Sequence, residues 1–458
     1  MPIPWRDAMS QALYGPDGFF VAGTGPADHF RTSVHASPAF ATALLRLLAQ
    51  VDSALGHPPR LDVVDVGAGR GELLLALRRL LASEDATGAS GKPADSVELA
   101  VGVSGEPAHS AGGAVGVSGE PAHSGRSGLI PAWAGSPETL TPAAAVRRSP
   151  DGPSWVAGRR SLAERIRFTA VEYASRPENL PKEIHWTTEI PDGITGLLLA
   201  TEWLDNVPLD VAVHADGGWR YVLVEPSTGV ETVGGPVSTA DLDWLTTWWP
   251  SPASPRGADR DVTGGPASTD ATSGSGSGFR AARPAQGSSL TARSRPGCPE
   301  TPHTDHRAEI GRPRDEAWGY AVGRIRRGLA VAVDYGHLRE GRPVDGTLTG
   351  YRGGRQVPPV PDASSDVTAH VAMDSVASAG AAVARCAYSL SLQTEALRAL
   401  GADGGRPPLS LAGTDPAGYV RALAAASAVA ELTDPAGLGG HWWLRQPVGI
   451  GLPTAVAR

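Results

Sequence analysis

Two kinds of apolar pattern recur along this chain, and two long stretches have neither. The run Leu61–Val66 (LDVVDV) has strand length and β-favouring residues, with Asp62 and Asp65 inside it. Directly after a glycine turn, Leu73, Leu74, Leu77, Leu80 and Leu81 recur at three- and four-residue steps, which is the apolar face of a helix. Similar runs predict strands at Arg165–Tyr173, weakly at Glu183–Trp186, at Leu197–Ala200 and at Gly328–His337. Asp210–His214 and Trp219–Glu225 read as a strand pair joined at Asp216-Gly217-Gly218. Helices are predicted at Pro4–Leu13, Pro38–Leu55, Asp315–Arg327, from near Asp366, and at Pro416–Leu432. Ser37 with Pro38 and Asp415 supply start signals for two of them. Arg385–Leu392 and the closing GGHWWLRQPVGI segment read as strands, the last antiparallel. Strands alternating with helices predict an α/β fold with a mostly parallel sheet, flanking helices and an N-terminal helical segment.

Residues 83–161 and 251–313 break the pattern. Both are rich in Gly, Ser, Pro and Ala, and the first holds the sequence AVGVSGEPAHS twice, from Ala100 and from Ala114. Two copies are too few for a solenoid, so both stretches read as low-complexity, disordered insertions. The folded parts are then 1–82, the N-terminal segment with the first βα unit; 162–250, the core continued; and 314–458, the core completed. The net charge of −8 gives no sign of a nucleic-acid surface. Cys298 and Cys386 are the only cysteines, too few for a disulfide framework or a Cys-based zinc site, and no metal is expected. No apolar run reaches the ~18 residues of a membrane span, and no signal-peptide core is seen, so the expectation is a cytoplasmic protein.

The chemistry centres on the turn Gly67-Ala68-Gly69-Arg70-Gly71 between strand and helix. Such a turn brings a ligand against main-chain N–H groups at a helix N-terminus. A dinucleotide fingerprint needs its third glycine three residues after the second, but position 72 is Glu. Glu72 and Asp65 would repel a pyrophosphate, which disfavours an NAD-linked oxidoreductase. A ligand with a cation and a diol fits better, and S-adenosyl-L-methionine has both. A glycine turn with no ligand stays open as the plain alternative. Glu172 ends the second strand, where this architecture holds a ribose diol. Thr201, Glu202, Asp205 and Asn206 follow the Leu197–Ala200 strand at the ligand-binding edge. Asp334, Tyr335 and His337 leave the Gly328–His337 strand in the same way. His441, beside two tryptophans, is read as structural.

The pattern D-x-G-x-G-x-G, Asp65 to Gly71, resembles motif I of class I methyltransferases. Four blocks in order extend the likeness: ALYGPDGFF with DHFRTSVHASPAF; VDVGAGRGELL; ATEWLDNVPLDV; and AVDYGH with GTLTGY and DVTAHV. Together they resemble the MidA-like methyltransferases, which include the mitochondrial complex I assembly factor that methylates an arginine. The departures are His29 inserted before Phe30, Ala68 in the glycine motif, and Thr201 before Glu202.

The resemblance implies a Rossmann-like class I methyltransferase fold with S-adenosyl-L-methionine as cofactor. It also implies a protein acceptor, an arginine side chain, with a respiratory complex I subunit as a candidate partner. Cofactor-binding residues are then Asp65, Gly67, Gly69, Gly71, Glu172 and Glu202. Catalytic candidates are Glu202, Asp205, Asp334 and His370, and substrate-binding candidates are Asp28, Phe30, Thr32, Ser33 and Tyr335. The rival is a non-catalytic assembly or scaffold protein that keeps the fold.

Overall fold

In the computed structural model, which describes residues 1–22, 32–88, 160–249, 306–402 and 404–451, the apolar runs assemble into a seven-stranded sheet. Helices α1 (Trp5–Tyr14) and α2 (Pro38–Ala54) lead in. Ser37 caps α2, its Oγ accepting the Ala39 N–H at 3.0 Å. Strand β1 (Leu61–Val66), helix α3 (Glu72–Gly88), and strands β2 (Ile166–Val171), β3 (Ile184–Thr187) and β4 (Ile194–Thr201) follow. Next come the hairpin β5 (Asp210–Ala215) and β6 (Gly218–Val224), strand β7 (Arg307–Ile310), helix α4 (Arg312–Gly323) and strand β8 (Ile325–Asp334). A small antiparallel sheet holds β9 (Thr349–Arg352), β10 (Arg355–Val357) and β11 (Asp366–Thr368). Helix α5 (Met373–Ala384), strand β12 (Ser389–Leu392), helices α6 (Gln393–Ala399) and α7 (Pro416–Leu432), and strand β13 (Trp442–Val448) complete the chain.

The main sheet runs β12-β13-β8-β4-β1-β2-β3. From β8 to β3 it is parallel, and β13 lies antiparallel to β8 and β12. Every residue of β1 is buried, because helices cover both sheet faces. Leu61, Val63, Leu197, Leu199, Leu329 and Val331 meet α2 and α3 on one face. Val64, Val66, Leu198, Ala200, Ala330 and Ala332 meet α4 and α5 on the other. Each buried leucine contributes roughly 1.5–3 kcal/mol by leaving water, so β1 and its neighbours form the stable centre. Strands β5, β6 and β7, with Ile3–Pro4 and Glu231–Pro236, form a second, antiparallel sheet packed on α1. No described helix is long and apolar enough to cross a membrane.

The structure moves several predicted boundaries. Where a helix was expected from near Asp366, Asp366–Thr368 is a strand paired with Thr349–Tyr351, and the helix starts at Met373. Val367, Thr368 and Val371 are β-branched and fit a pleated surface better than a helical turn. The helix expected over Asp315–Arg327 spans Arg312–Gly323, since Ile325 already pairs with Ile194 in the sheet. Within the range expected as a second insertion, Arg307–Ile310 is a strand zipped onto Asp210–Val213. Strand β8 stops at Asp334, and Gly336–His337 pairs separately with Val371–Ala372. Of Arg385–Leu392 only Ser389–Leu392 is strand; Arg385, at φ +52°, closes α5 in the left-handed region.

Candidate active site

The C-terminal ends of β1, β2, β4 and β8 open onto one cavity of about 1120 Å³. That exceeds the ~300–1,000 Å³ of most small-molecule sites, so two reactants have room together. At one end lies the glycine turn. Gly69 sits at φ +56°, and a Cβ there would stand 3.3 Å from Glu72 Oε2, so any side chain is strained and crowded. The Gly69 N–H donates to Glu172 Oε2 at 3.0 Å, and the Tyr173 N–H to its Oε1 at 2.7 Å. Glu172 therefore ties the turn to the end of β2. Burial raises its pKa above the usual carboxylate value, against the pull of these N–H groups. Asp65, at the end of β1, is pushed up to about 8 by burial first, then by Glu72 and Glu172.

The other end is built on β4, β8 and β11. Glu202 follows β4 in the left-handed region, φ +52°, with its N–H on Val333 O at 2.8 Å. Strain of this kind costs about 1–3 kcal/mol and gathers at functional sites. Glu202 Oε1 accepts the Ser33 N–H at 2.9 Å, which docks the segment before α2 onto the sheet edge. Three residues on, Asp205 Oδ2 accepts the Tyr335 hydroxyl and, at 2.9 Å, the Thr368 hydroxyl. Burial raises the Asp205 pKa and those hydroxyls oppose it. Its Oδ1 is buried, with no hydrogen-bond partner among the described residues.

Two buried residues set this geometry from behind. Asp334 is fully buried and accepts the Leu204 N–H at 3.0 Å and the Asp205 N–H at 3.3 Å. Burial, then the Asp205 charge, drives its pKa well above the usual carboxylate value. Arg314, on α4, donates to the carbonyls of Asp205 at 2.5 Å, Val207 at 3.2 Å, Ala369 at 3.0 Å and His370 at 2.9 Å. One guanidinium thus fixes the turn after β4 against the turn after β11.

Thr32, Asp65, Gly67, Gly69, Glu172, Glu202, Asp205, Tyr335 and His370 all line this cavity. Three other expected site residues stand behind its wall. Gly71 packs under the turn, where a Cβ would meet Leu180 Cδ1 at 2.9 Å. Ser33 is buried and holds Glu202, and Asp334, expected to be catalytic, holds the backbone of the turn instead of facing the cavity. Asp28 and Phe30 lie outside the described residues.

The wall also holds residues that periodicity did not single out. Tyr14 and Phe20 stack at 5.7 Å, and Tyr14 meets Tyr173 edge-on at 5.6 Å. Tyr351, Asp366 and His441 join them. For His441 a signal existed: an antiparallel last strand starts at the edge where parallel strands end. Carboxylates outnumber guanidiniums along the wall, and Tyr14, Tyr173, Tyr335 and Tyr351 line it too, which suits a cationic ligand. Among the described residues, no cluster of His, Cys, Asp and Glu is placed to hold a metal ion.

Comparison with known proteins bears on the family and on the fold. The family described as "Putative S-adenosyl-L-methionine-dependent methyltransferase" matches residues 157–389, just over half the chain. No curated protein matches. Among solved structures, a COG1565 superfamily member from Burkholderia thailandensis, bound to S-adenosyl-homocysteine, superposes with a TM-score of 0.59 at 18% identity. The match covers 100% of this chain and 91% of that one. A second COG1565 superfamily structure from the same organism gives 0.57 at 19% identity, covering 100% and 90%. At such identity these two likenesses show a shared fold.

Proposed function

The chain belongs to the family of S-adenosyl-L-methionine-dependent methyltransferases, and from that premise we propose that it methylates a protein side chain, the guanidinium of an arginine, on a class I methyltransferase fold. The observation that carries this reading is Asp205 Oδ1, a buried acceptor on the cavity wall with no partner among the described residues. An unpaired acceptor there calls for an N–H donor, and a carboxylate is the natural partner of a guanidinium.

The cofactor, when bound, supplies a methyl group activated on a sulfonium. Gly67 and Gly69 carry no side chain and sit at φ +71° and +56°, so a ligand can lie against the backbone at these two positions. Glu172 keeps lone pairs for ribose hydroxyls beside the N–H groups it already accepts. Glu202 and Asp205 hold the acceptor, and the Tyr335 and Thr368 hydroxyls keep Asp205 from turning. Fixing the nucleophile in line with the methyl group is the main catalytic work of the protein. His370 takes the proton that the acceptor nitrogen releases. It lines the cavity, and desolvation holds its pKa below the ordinary histidine value, so it is neutral near pH 7.

An array of arginine-containing peptides beside lysine-substituted copies, incubated with methyl-labelled cofactor, tests the acceptor. Label confined to the arginine peptides is the expected result. Label on the lysine copies, or on neither set, contradicts the reading.

A further inference from the structure

Strand β13 runs antiparallel to β8 with Trp442 opposite Asp334, so its start meets the edge where β8 ends. His441 just precedes β13 and Tyr335 just follows β8, and their rings stand 5.6 Å apart at 52°. Tyr335 also packs edge-on to His370 at 5.1 Å, and its hydroxyl is bonded to Asp205. His441 therefore reaches the same wall as the carboxylate assigned to the acceptor.

Its own setting argues against a purely structural role. His441 is 8% exposed, and its Nδ1 is buried without a hydrogen-bond partner among the described residues. A histidine kept for packing has no need of an unsatisfied nitrogen, which weakens the fold. Yet the residue is held firmly: its N–H donates to Leu438 O at 3.1 Å and its carbonyl accepts the Gln393 N–H at 2.7 Å. Gln393 is fully buried, and its side chain donates to Ser33 Oγ at 3.2 Å. The Ser33 N–H in turn holds Glu202. His441 and Glu202 are thus set by one rigid chain of contacts. Burial, then the neighbouring His370, brings the His441 pKa down to about 4. The ring stays neutral and does not repel a cation.

We propose that His441 is an acceptor-positioning residue, one ring nitrogen taking an N–H of the guanidinium whose other N–H groups face Asp205. The inference rests on the guanidinium reading above. A neutral imidazole beside a carboxylate offers a second acceptor direction to a planar, multi-donor cation, so it fixes the plane of the group as well as its position.

The test uses the full chain saturated with S-adenosylhomocysteine, titrated with Nα-acetyl-arginine amide by calorimetry. His441→Phe keeps a ring and removes both nitrogens, whereas His441→Asn and His441→Gln keep an acceptor. The expected result is a loss of about tenfold or more in His441→Phe, the usual scale for a hydrogen bond to a charged group. At least one amide variant should stay within about threefold of the parent, with S-adenosylhomocysteine affinity unchanged in all three. Unchanged amide binding by His441→Phe overturns the inference, and so does an equal loss in both amide variants, which reports packing alone. If the parent binds S-adenosylhomocysteine but no arginine amide, the guanidinium reading itself falls, and this inference with it.

Discussion

Asp65 shows what a single residue contributes and how far its sequence position reveals it. Its place before the glycine turn was readable, because an acidic residue ends a strand that must be buried. Its protonation was not readable, since that depends on Glu72 and Glu172 arriving from α3 and β2. In the folded chain the carboxyl titrates near 8, well above its unfolded value. The folded state then binds the extra proton between about pH 4 and pH 8, and stability falls as pH rises through that window, by up to about 1.4 kcal/mol per pH unit. Asp65→Asn removes this dependence. Thermal unfolding from pH 5 to pH 8 should show the parent losing stability relative to Asp65→Asn, and parallel curves would refute the assignment. Asp205 follows the same logic: it stood out by position, but its pairing with Tyr335 and Thr368 needed residues 130 and 163 positions away.

At the scale of elements, strongly periodic segments were legible and junctions were not. Strand β1 and helix α7 keep their predicted bounds, the first because its β-favouring run is unbroken and the second because Asp415 caps it and Pro416 opens it. The Asp366–Ala372 stretch was misread as helix because its β pairing with β9 and Gly336–His337 is non-local. Arg314 holds that stretch against the turn after β4, and no local pattern marks a buried arginine that serves carbonyl groups. Arg314→Met takes the guanidinium from four carbonyls, of which Asp205 O keeps the Ala369 N–H and the Thr368 hydroxyl, and should cost about 3–5 kcal/mol in urea unfolding. Arg314→Lys restores the charge but not the planar fork, so it should recover only part of that. A loss under about 1 kcal/mol in Arg314→Met would show that the two turns hold without it.

For the whole molecule, the alternation of strands and helices gave the α/β class directly, since parallel strands need crossover helices. The closing segment was legible as an antiparallel last strand, but its partner β8 was not, and the consequence for His441 emerged from that register. The repeat copies at Ala100–Ser110 and Ala114–Ser124 carry no periodic apolar pattern. Their removal should leave the melting temperature within about 2 °C, and a larger fall would assign them a folding role.

The central claim is that the glycine turn and Glu172 together hold S-adenosyl-L-methionine. Calorimetric titration of the full chain, beside Gly69→Val and Glu172→Ala, tests it most directly. The account predicts micromolar binding by the parent and none measurable in Gly69→Val. It predicts at least a tenfold loss in Glu172→Ala, with circular dichroism unchanged in both variants. Undiminished affinity in either variant, or no binding by the parent, would contradict it.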